Sequence, residues 1–303
     1  MDAGLLLDVF AFGLHLLLLP VAFVLSEAVA AGVAALREGR PLEVPASPGR
    51  LLRDLRWQLG KQRLRAEPGA GWHRLGLETA AVLPVLALLL LPSFATGLPT
   101  AALSDLPSLL LMLGLSRSML IVLAADEGGG RSGLSALRGL AGLLLAVPGA
   151  LLCAASLLLS TGAMTLDGVI AAGRSLPDET ASLALAAAAL AASGLAAGSG
   201  THLAERFSGL DRTLASLALG TQRLCWLSIV ASLAMPCAVA TVSAPAWWLP
   251  AALSWLGAIA LLSGGAALLA PRGSRPSDPS RLLAATSLLL AILSPLFGAG
   301  GGR

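Results

Sequence analysis

The sequence predicts an all-α polytopic membrane protein of about eight transmembrane helices, with a cytoplasmic amphipathic helix between the first and the second. Composition is the first observation. Of 303 residues, 56% are hydrophobic and only 12% are charged, whereas soluble domains run at about 45–50% apolar and about 25% charged. The mean hydropathy is +0.83. So few polar groups cannot cover a water-facing surface, which excludes a soluble globular fold. The 34 Gly and 18 Pro follow no three-residue period, which excludes a collagen-like one. The second observation is run length, since crossing hydrocarbon takes about 20 apolar residues in a helix. The third is the placement of Lys and Arg.

Apolar runs of sufficient length fall at about 4–36, 76–98, 103–125, 134–160, 180–200, 214–242, 246–270 and 281–298. Helices are expected because isolated strands would leave backbone groups unsatisfied in lipid. Breakers support the divisions: Pro92 to Pro107 brackets a turn, Asp126 to Gly133 is Gly-rich, and Pro271 to Ser280 is polar. The first run opens on Asp2 and extends far beyond a signal-peptide core, so it reads as a span and not as a cleaved leader. The whole chain, 1–303, reads as one transmembrane domain, with 37–75 as a basic loop.

Basic residues set the orientation. The loop between spans one and two carries Arg37, Arg40, Arg50, Arg53, Arg56, Lys61, Arg63, Arg65 and Arg74. Later odd-numbered loops add Arg131 and Arg138, then Arg206 and Arg212, then Arg272, Arg275 and Arg281, which makes sixteen of the twenty Lys and Arg. The opposite face holds only Arg174 and Arg303. The positive-inside rule then places both termini on the non-cytoplasmic side. Within the first loop Leu51, Leu52, Leu55 and Leu59 fall on one helical face among Arg, Lys and Asp54, the pattern of an amphipathic surface helix. Such a helix either floats on anionic lipid or docks a cytoplasmic partner.

Ionisable groups inside spans are costly and mark candidate sites. Glu27 lies late in span one, Arg117 in span three and Arg223 in span six, while Asp8 and His15 share a face of span one. Arg223 is near enough to the cytoplasmic end to snorkel, and His15 reads as a satisfied interior or interface residue. Glu27 and Arg117 lie deeper. Either they pair between helices, or Glu27 faces a hydrated proton path. Cys153, Cys225 and Cys237 sit in apolar runs without CxxC spacing and read as small hydrophobes, not as metal ligands. The histidines His15, His73 and His202 are scattered, and Gly128 to Gly130 precedes no P-loop lysine. A self-contained enzyme is therefore not expected. The Trp residues near predicted interfaces, Trp72, Trp247 and Trp248, read as a belt.

Several stretches, in order, resemble one family. Ser26-Glu27-Ala28-Val29 is followed by Arg40-Pro41. The segment from Pro48 to Lys61 resembles the family's Gln-Pro-x-x-Asp-x-x-Lys-Leu surface helix, with Asp54 on its aspartate. Gly114 to Arg117, Ala125-Asp126 and Leu137-Arg138 resemble its third helix and the loop that follows. Thr201 to Asp211 is similar to its His-Glu-x-x-x-Glu-Tyr-Ser-Gly loop, with Glu205 and Ser208-Gly209 in register. The family is the eight-helix membrane subunit of respiratory complex I (the H-type subunit, or subunit 1) and of energy-converting, formate-hydrogenlyase-type hydrogenases. The likeness covers nearly the whole length and agrees with the topology read independently.

The resemblance implies a non-catalytic subunit of the bacterial inner membrane, within an ion-translocating oxidoreductase complex. It would bind no cofactor itself and would anchor a hydrogenase-like large subunit and iron–sulfur subunits, which carry Fe–S clusters and, in the hydrogenase branch, a NiFe centre. It would link their electron transport to proton translocation by antiporter-like membrane subunits. Glu27, Arg117, Asp126, Glu205 and Asp211 become candidates for proton or charge coupling, and Arg53, Asp54, Arg56, Lys61 and Arg138 for partner docking. The chain also departs from the family. Arg138 is followed by Gly139 where the family has Arg-Glu. Val147-Pro148 replaces Glu-Pro, and Ser193 to Gly200 replaces an acidic segment. In the family those carboxylates form a proposed charged path between the redox site and the membrane, so their loss thins it, argues against a standard quinone chamber and favours the hydrogenase branch. Two alternatives stand: a membrane anchor without ion coupling, and an independent multi-pass transporter, for which no inverted repeat is evident.

Overall fold

The computed structural model describes residues 3–39, 56–57, 70–126, 130–175, 180–198 and 201–269. Its elements are α1 (Ala3–Arg37), α2 (Ala70–Leu90), β1 (Ala95–Thr96), α3 (Leu106–Asp126), α4 (Gly130–Thr161), α5 (Leu166–Ser175), α6 (Thr180–Gly198), α7 (Gly209–Ala234), β2 (Ala240–Thr241) and α8 (Trp248–Leu269). Short 3-10 turns occupy Ala101–Leu103, Thr201–Arg206, Pro236–Ala238 and Pro245–Trp247. Six of these helical segments are long and apolar enough to cross a membrane: Gly4–Arg37, Trp72–Leu90, Leu106–Asp126, Gly139–Thr161, Gly209–Ala234 and Pro245–Leu269. The protein is a helical polytopic membrane protein. Helix α6 coincides with the fifth expected run, and the eighth, at 281–298, lies outside the described residues.

Helix α7 is the axis of the bundle. It packs against α2, α6 and α8, and makes smaller contacts with α1 and α3. Helices α2, α3, α4 and α6 follow one another around it, while α1 lies against α8. Small residues allow the close approaches. Gly194 of α6 faces the Trp226 ring, and a β-carbon there would come to 3.0 Å from it. Cys153 of α4 and Cys225 of α7 are both fully buried. Their thiols reach Ala186 O at 3.4 Å and Pro84 O at 3.3 Å, so each adds a weak cross-helix hydrogen bond to its packing.

Two spans end earlier than their apolar runs suggest. The second run, expected to reach residue 98, stops being helical at Leu90, because Pro92 cannot continue the helix. The sixth, expected to reach residue 242, stops at Ala234 ahead of Pro236. The released segments form a two-residue parallel bridge, Ala95 to Ala240 and Thr96 to Thr241. Hydropathy cannot distinguish this buried apolar turn from a further helical turn.

The stretch between α4 and α6 also departs from expectation. It contains α5, a ten-residue amphipathic helix with Asp167 in its first turn and Arg174 in its last. Both side chains clasp the bridge. Arg174 donates from Nε to Pro236 O at 2.9 Å, from Nη2 to Val239 O at 2.5 Å and Ala240 O at 3.1 Å, and from Nη1 to Thr96 Oγ1 at 3.3 Å. Asp167 Oδ2 accepts the Gly97 N–H at 2.6 Å. Gly97 has φ +83°, a left-handed conformation that turns its amide toward α5 and that other residues adopt at a penalty. Burial pushes the Asp167 carboxyl above its ordinary value, while the Gly97 N–H and the Arg174 charge pull it back. Burial likewise lowers the Arg174 guanidinium, against the opposing charge of Asp167. One short helix thus ties together three inter-helix connections at this end of the bundle, the bridge end.

Candidate functional site

The polar centre of the bundle begins with a proline. Pro84 lies inside α2 and has no N–H to give to the carbonyl of Ala80 one turn before it. In an apolar interior that carbonyl needs another donor. Ser116 of α3 supplies it, donating from Oγ to Ala80 O at 2.5 Å, and the same Oγ accepts Gln222 Nε2 of α7 at 2.6 Å. Ser116 is 0% and Gln222 7% exposed. Three helices are thereby joined by polar groups at mid-depth.

Arg117 lies beside this link. It shares the stripe of α3 carrying Gly114 and Ile121, which Val147 and Gly139 place against α4. It is 4% exposed, and its Nε and Nη2 have no hydrogen-bond partner among the described residues. A guanidinium in that condition is strongly unfavourable.

Glu27 has a partner, and it is not Arg117. Arg223 Nη1 lies 3.6 Å from Glu27 Oε1, with both side chains about one-third exposed. Arg223, expected to snorkel, forms an inter-helix ion pair between α7 and α1. Gly220 makes the approach possible. A β-carbon on it would stand 2.8 Å from Phe23 Cε2 and 3.7 Å from Glu27 Oε1. Glu27, Arg223, Gln222, Ser116 and Arg117 therefore occupy one stratum through α1, α7 and α3.

The other coupling candidates lie at the opposite end from the bridge. Asp126 is exposed at the end of α3, and Glu205 is exposed on the Thr201–Arg206 turn. Asp211 is 8% exposed in the first turn of α7, where the helix dipole favours a carboxylate. The Thr201–Arg206 turn packs on α3, α4 and α7 and gathers these three acids at one end. Nine residues separate Arg117 from Asp126, about 14 Å along a helix, and eleven separate Gln222 from Asp211, about 17 Å. The five candidates thus form two levels, not one cluster. Of the docking candidates, Arg56 is exposed and Arg138 belongs to the backbone of α4. Arg53, Asp54 and Lys61 lie outside the described residues, with the amphipathic stretch around them.

His15 is buried as an interior residue, but only half satisfied: its Nδ1 is 2.8 Å from Ser93 Oγ, and its Nε2 has no partner among the described residues. Sequence reasoning missed Ser116, Gln222, Asp167 and Arg174. Pro84 was a usable signal for Ser116, because a proline within a span frees a carbonyl that some neighbouring donor must meet. Nothing local identifies Arg174, whose acceptors lie more than sixty residues away.

No family model and no curated protein matches the sequence. The solved structures do include a match. A chain in the structure of the membrane-bound sulfane sulfur reductase, an archaeal respiratory membrane complex, superposes with a TM-score of 0.65 at 15% identity. The match covers 97% of this chain and 98% of that one, so the two share a fold over nearly their whole lengths.

Proposed function

We propose that this chain is a membrane subunit of a respiratory redox complex related to complex I and to energy-converting hydrogenases, of the H-type (subunit 1) kind. The observation that carries the reading is the fold match across almost all of both chains to a respiratory complex. The acidic end, with Asp126, Glu205, Asp211 and the basic first loop, faces the cytoplasm of a bacterial inner membrane. There it seats a hydrogenase-like large subunit and iron–sulfur subunits whose Fe–S clusters, and NiFe centre where present, perform the redox chemistry. The bridge end faces the non-cytoplasmic side, as do both termini. Antiporter-like subunits lie beside the bundle, and the chain itself holds no cofactor and no quinone.

Coupling is electrostatic. A charge change at the docked redox module acts first on the acidic end, and a buried cation about 14 Å further in responds because the apolar surroundings screen it weakly. Arg117, buried and with Nε and Nη2 unpartnered among the described residues, is the group best placed to respond. The anchor-only reading has one observation in its favour: Glu27 is already paired with Arg223.

Gentle detergent extraction of the tagged chain, followed by mass spectrometry, tests the assignment. Redox subunits together with an antiporter-like subunit are expected, and a chain that purifies alone would overturn it. Arg117→Met and Glu27→Gln in the assembled complex separate the two mechanisms. Loss of redox-linked ion movement with assembly intact supports coupling, and unchanged movement leaves an anchor.

A further inference from the structure

Near the bridge end, α7, α8 and the turn that follows α2 line a small half-open cavity. Its wall carries more hydrogen-bonding groups than the surrounding helices use. Ser93, Ser232, Ser254 and Trp255 line it, and the remaining wall is Met235 and small or aliphatic residues. It leaves ≈ 10 Å³ for the centre of a water-sized sphere, about the room that one water molecule needs. Trp255 is 4% exposed, and its indole Nε1 has no hydrogen-bond partner among the described residues. Buried indole N–H groups ordinarily have one.

The other polar atoms on the wall are only partly used. Ser254 Oγ donates to Ala251 O at 2.8 Å and retains its acceptor capacity. Ser232 Oγ reaches Pro92 O only at 3.5 Å, the limit of a hydrogen bond. Ser93 Oγ bonds His15 Nδ1 at 2.8 Å, so it connects the cavity to a histidine of α1 that is 0% exposed. One turn from Ser232 on the same helix, Ser228 Oγ is also buried without a partner among the described residues.

The lining selects the ligand. The indole offers only a donor and the serines offer both donors and acceptors. Among the described residues, no carboxylate lines the cavity to hold a cation and no basic side chain lines it to hold an anion. A neutral ligand that both donates and accepts, of one-water size, fits. We propose that this cavity is a water-binding site, in which a water accepts from Trp255 Nε1 and donates to a seryl oxygen. Through Ser93 that water connects His15 to the bridge-end surface. Met235, on the cavity wall, is 42% exposed and marks the route of entry. The inference rests on the cavity alone and is independent of the assignment to a redox complex.

The test uses the full chain in lipid nanodiscs, with brief radiolytic hydroxyl-radical labelling in ¹⁸O-water. A bound water makes buried Trp255 label within about tenfold of Trp247, which is 67% exposed. Phe94, which is 0% exposed, provides the buried reference. Ala251→Val, which fills the cavity, should reduce Trp255 labelling at least fivefold while Trp247 is unchanged. A Trp255 rate no higher than that of Phe94, or one unmoved in a folded Ala251→Val protein, overturns the site. Should the valine variant not fold, an ultraviolet resonance Raman difference between wild type and Trp255→Phe decides. A hydrogen-bonded indole N–H supports the water, and a free one overturns it.

Discussion

Arg174 and Arg117 are two guanidiniums in one apolar bundle, and the protein treats them in opposite ways. Arg174 sits at the bridge end with three backbone carbonyls and Thr96 Oγ1 as acceptors, and with Asp167 as a nearby opposite charge. Arg117 sits at mid-depth with Nε and Nη2 unpartnered among the described residues. The first is a structural clasp, whose planar fork reaches several acceptors at once. The second cannot be justified by stability, because a buried cation with unmet donors is a net destabiliser. The contrast separates residues that hold the fold from a residue retained at the fold's expense.

That contrast makes an ordered set of expectations, all measurable by unfolding in mixed micelles. Arg174→Ala should have the largest effect, a loss of about 3 kcal/mol or more, since several hydrogen bonds to a charged group vanish together. Arg174→Lys should recover only part of it, because one ammonium cannot reach Thr96 and Val239 simultaneously. Arg117→Met should have the opposite sign, neutral to stabilising by about 1–3 kcal/mol, as when buried charges yield to apolar side chains. A large destabilisation by Arg117→Met would break the comparison and make Arg117 a second clasp.

Gly220→Ala tests the stratum from its other side. A methyl group 2.8 Å from the Phe23 ring must push α1 away, at about 1–2 kcal/mol, and should separate Glu27 from Arg223. A Glu27–Arg223 double-mutant cycle in the Gly220→Ala background should then return a coupling energy near zero.

Asp167→Asn should be the smallest change, within about 1 kcal/mol at pH 7, because an amide oxygen still accepts the Gly97 N–H. Its signature lies in pH. The folded carboxyl sits above 3.8, its ordinary value, so between that value and the folded one the native state holds more protons than the unfolded chain. The contribution of Asp167 to stability is therefore greatest in acid and declines as pH rises through that window. The wild-type minus Asp167→Asn stability difference should show this decline, and a flat difference would remove burial as the cause.

Much of the architecture was legible because lipid imposes simple rules. Run length and the distribution of Arg and Lys located α1, α2, α3, α4, α6, α7 and α8, since a spanning segment must be long, apolar and internally hydrogen-bonded. Helix α5 was not legible, because ten amphipathic residues between spans resemble any loop. The ends of α2 and α7 were overrun for a related reason: the bridge that replaces their last turns is itself apolar. For the site, the ionisable residues could be named from their position in spans, but their partners could not.

What the sequence by itself determined is the class, the approximate positions of the apolar helices in the described region and the inventory of charges that must be accommodated. These follow from transfer free energies, which depend on local composition. Tertiary structure alone decided that Glu27 meets Arg223, that Ser116 satisfies the carbonyl freed by Pro84, and that Arg174 clasps β2 while Arg117 Nε and Nη2 have no partner among the described residues. A hydrogen bond is decided by ångströms between groups far apart in the chain, 144 residues for Thr96 and Ala240, and only the packing of whole helices sets those distances.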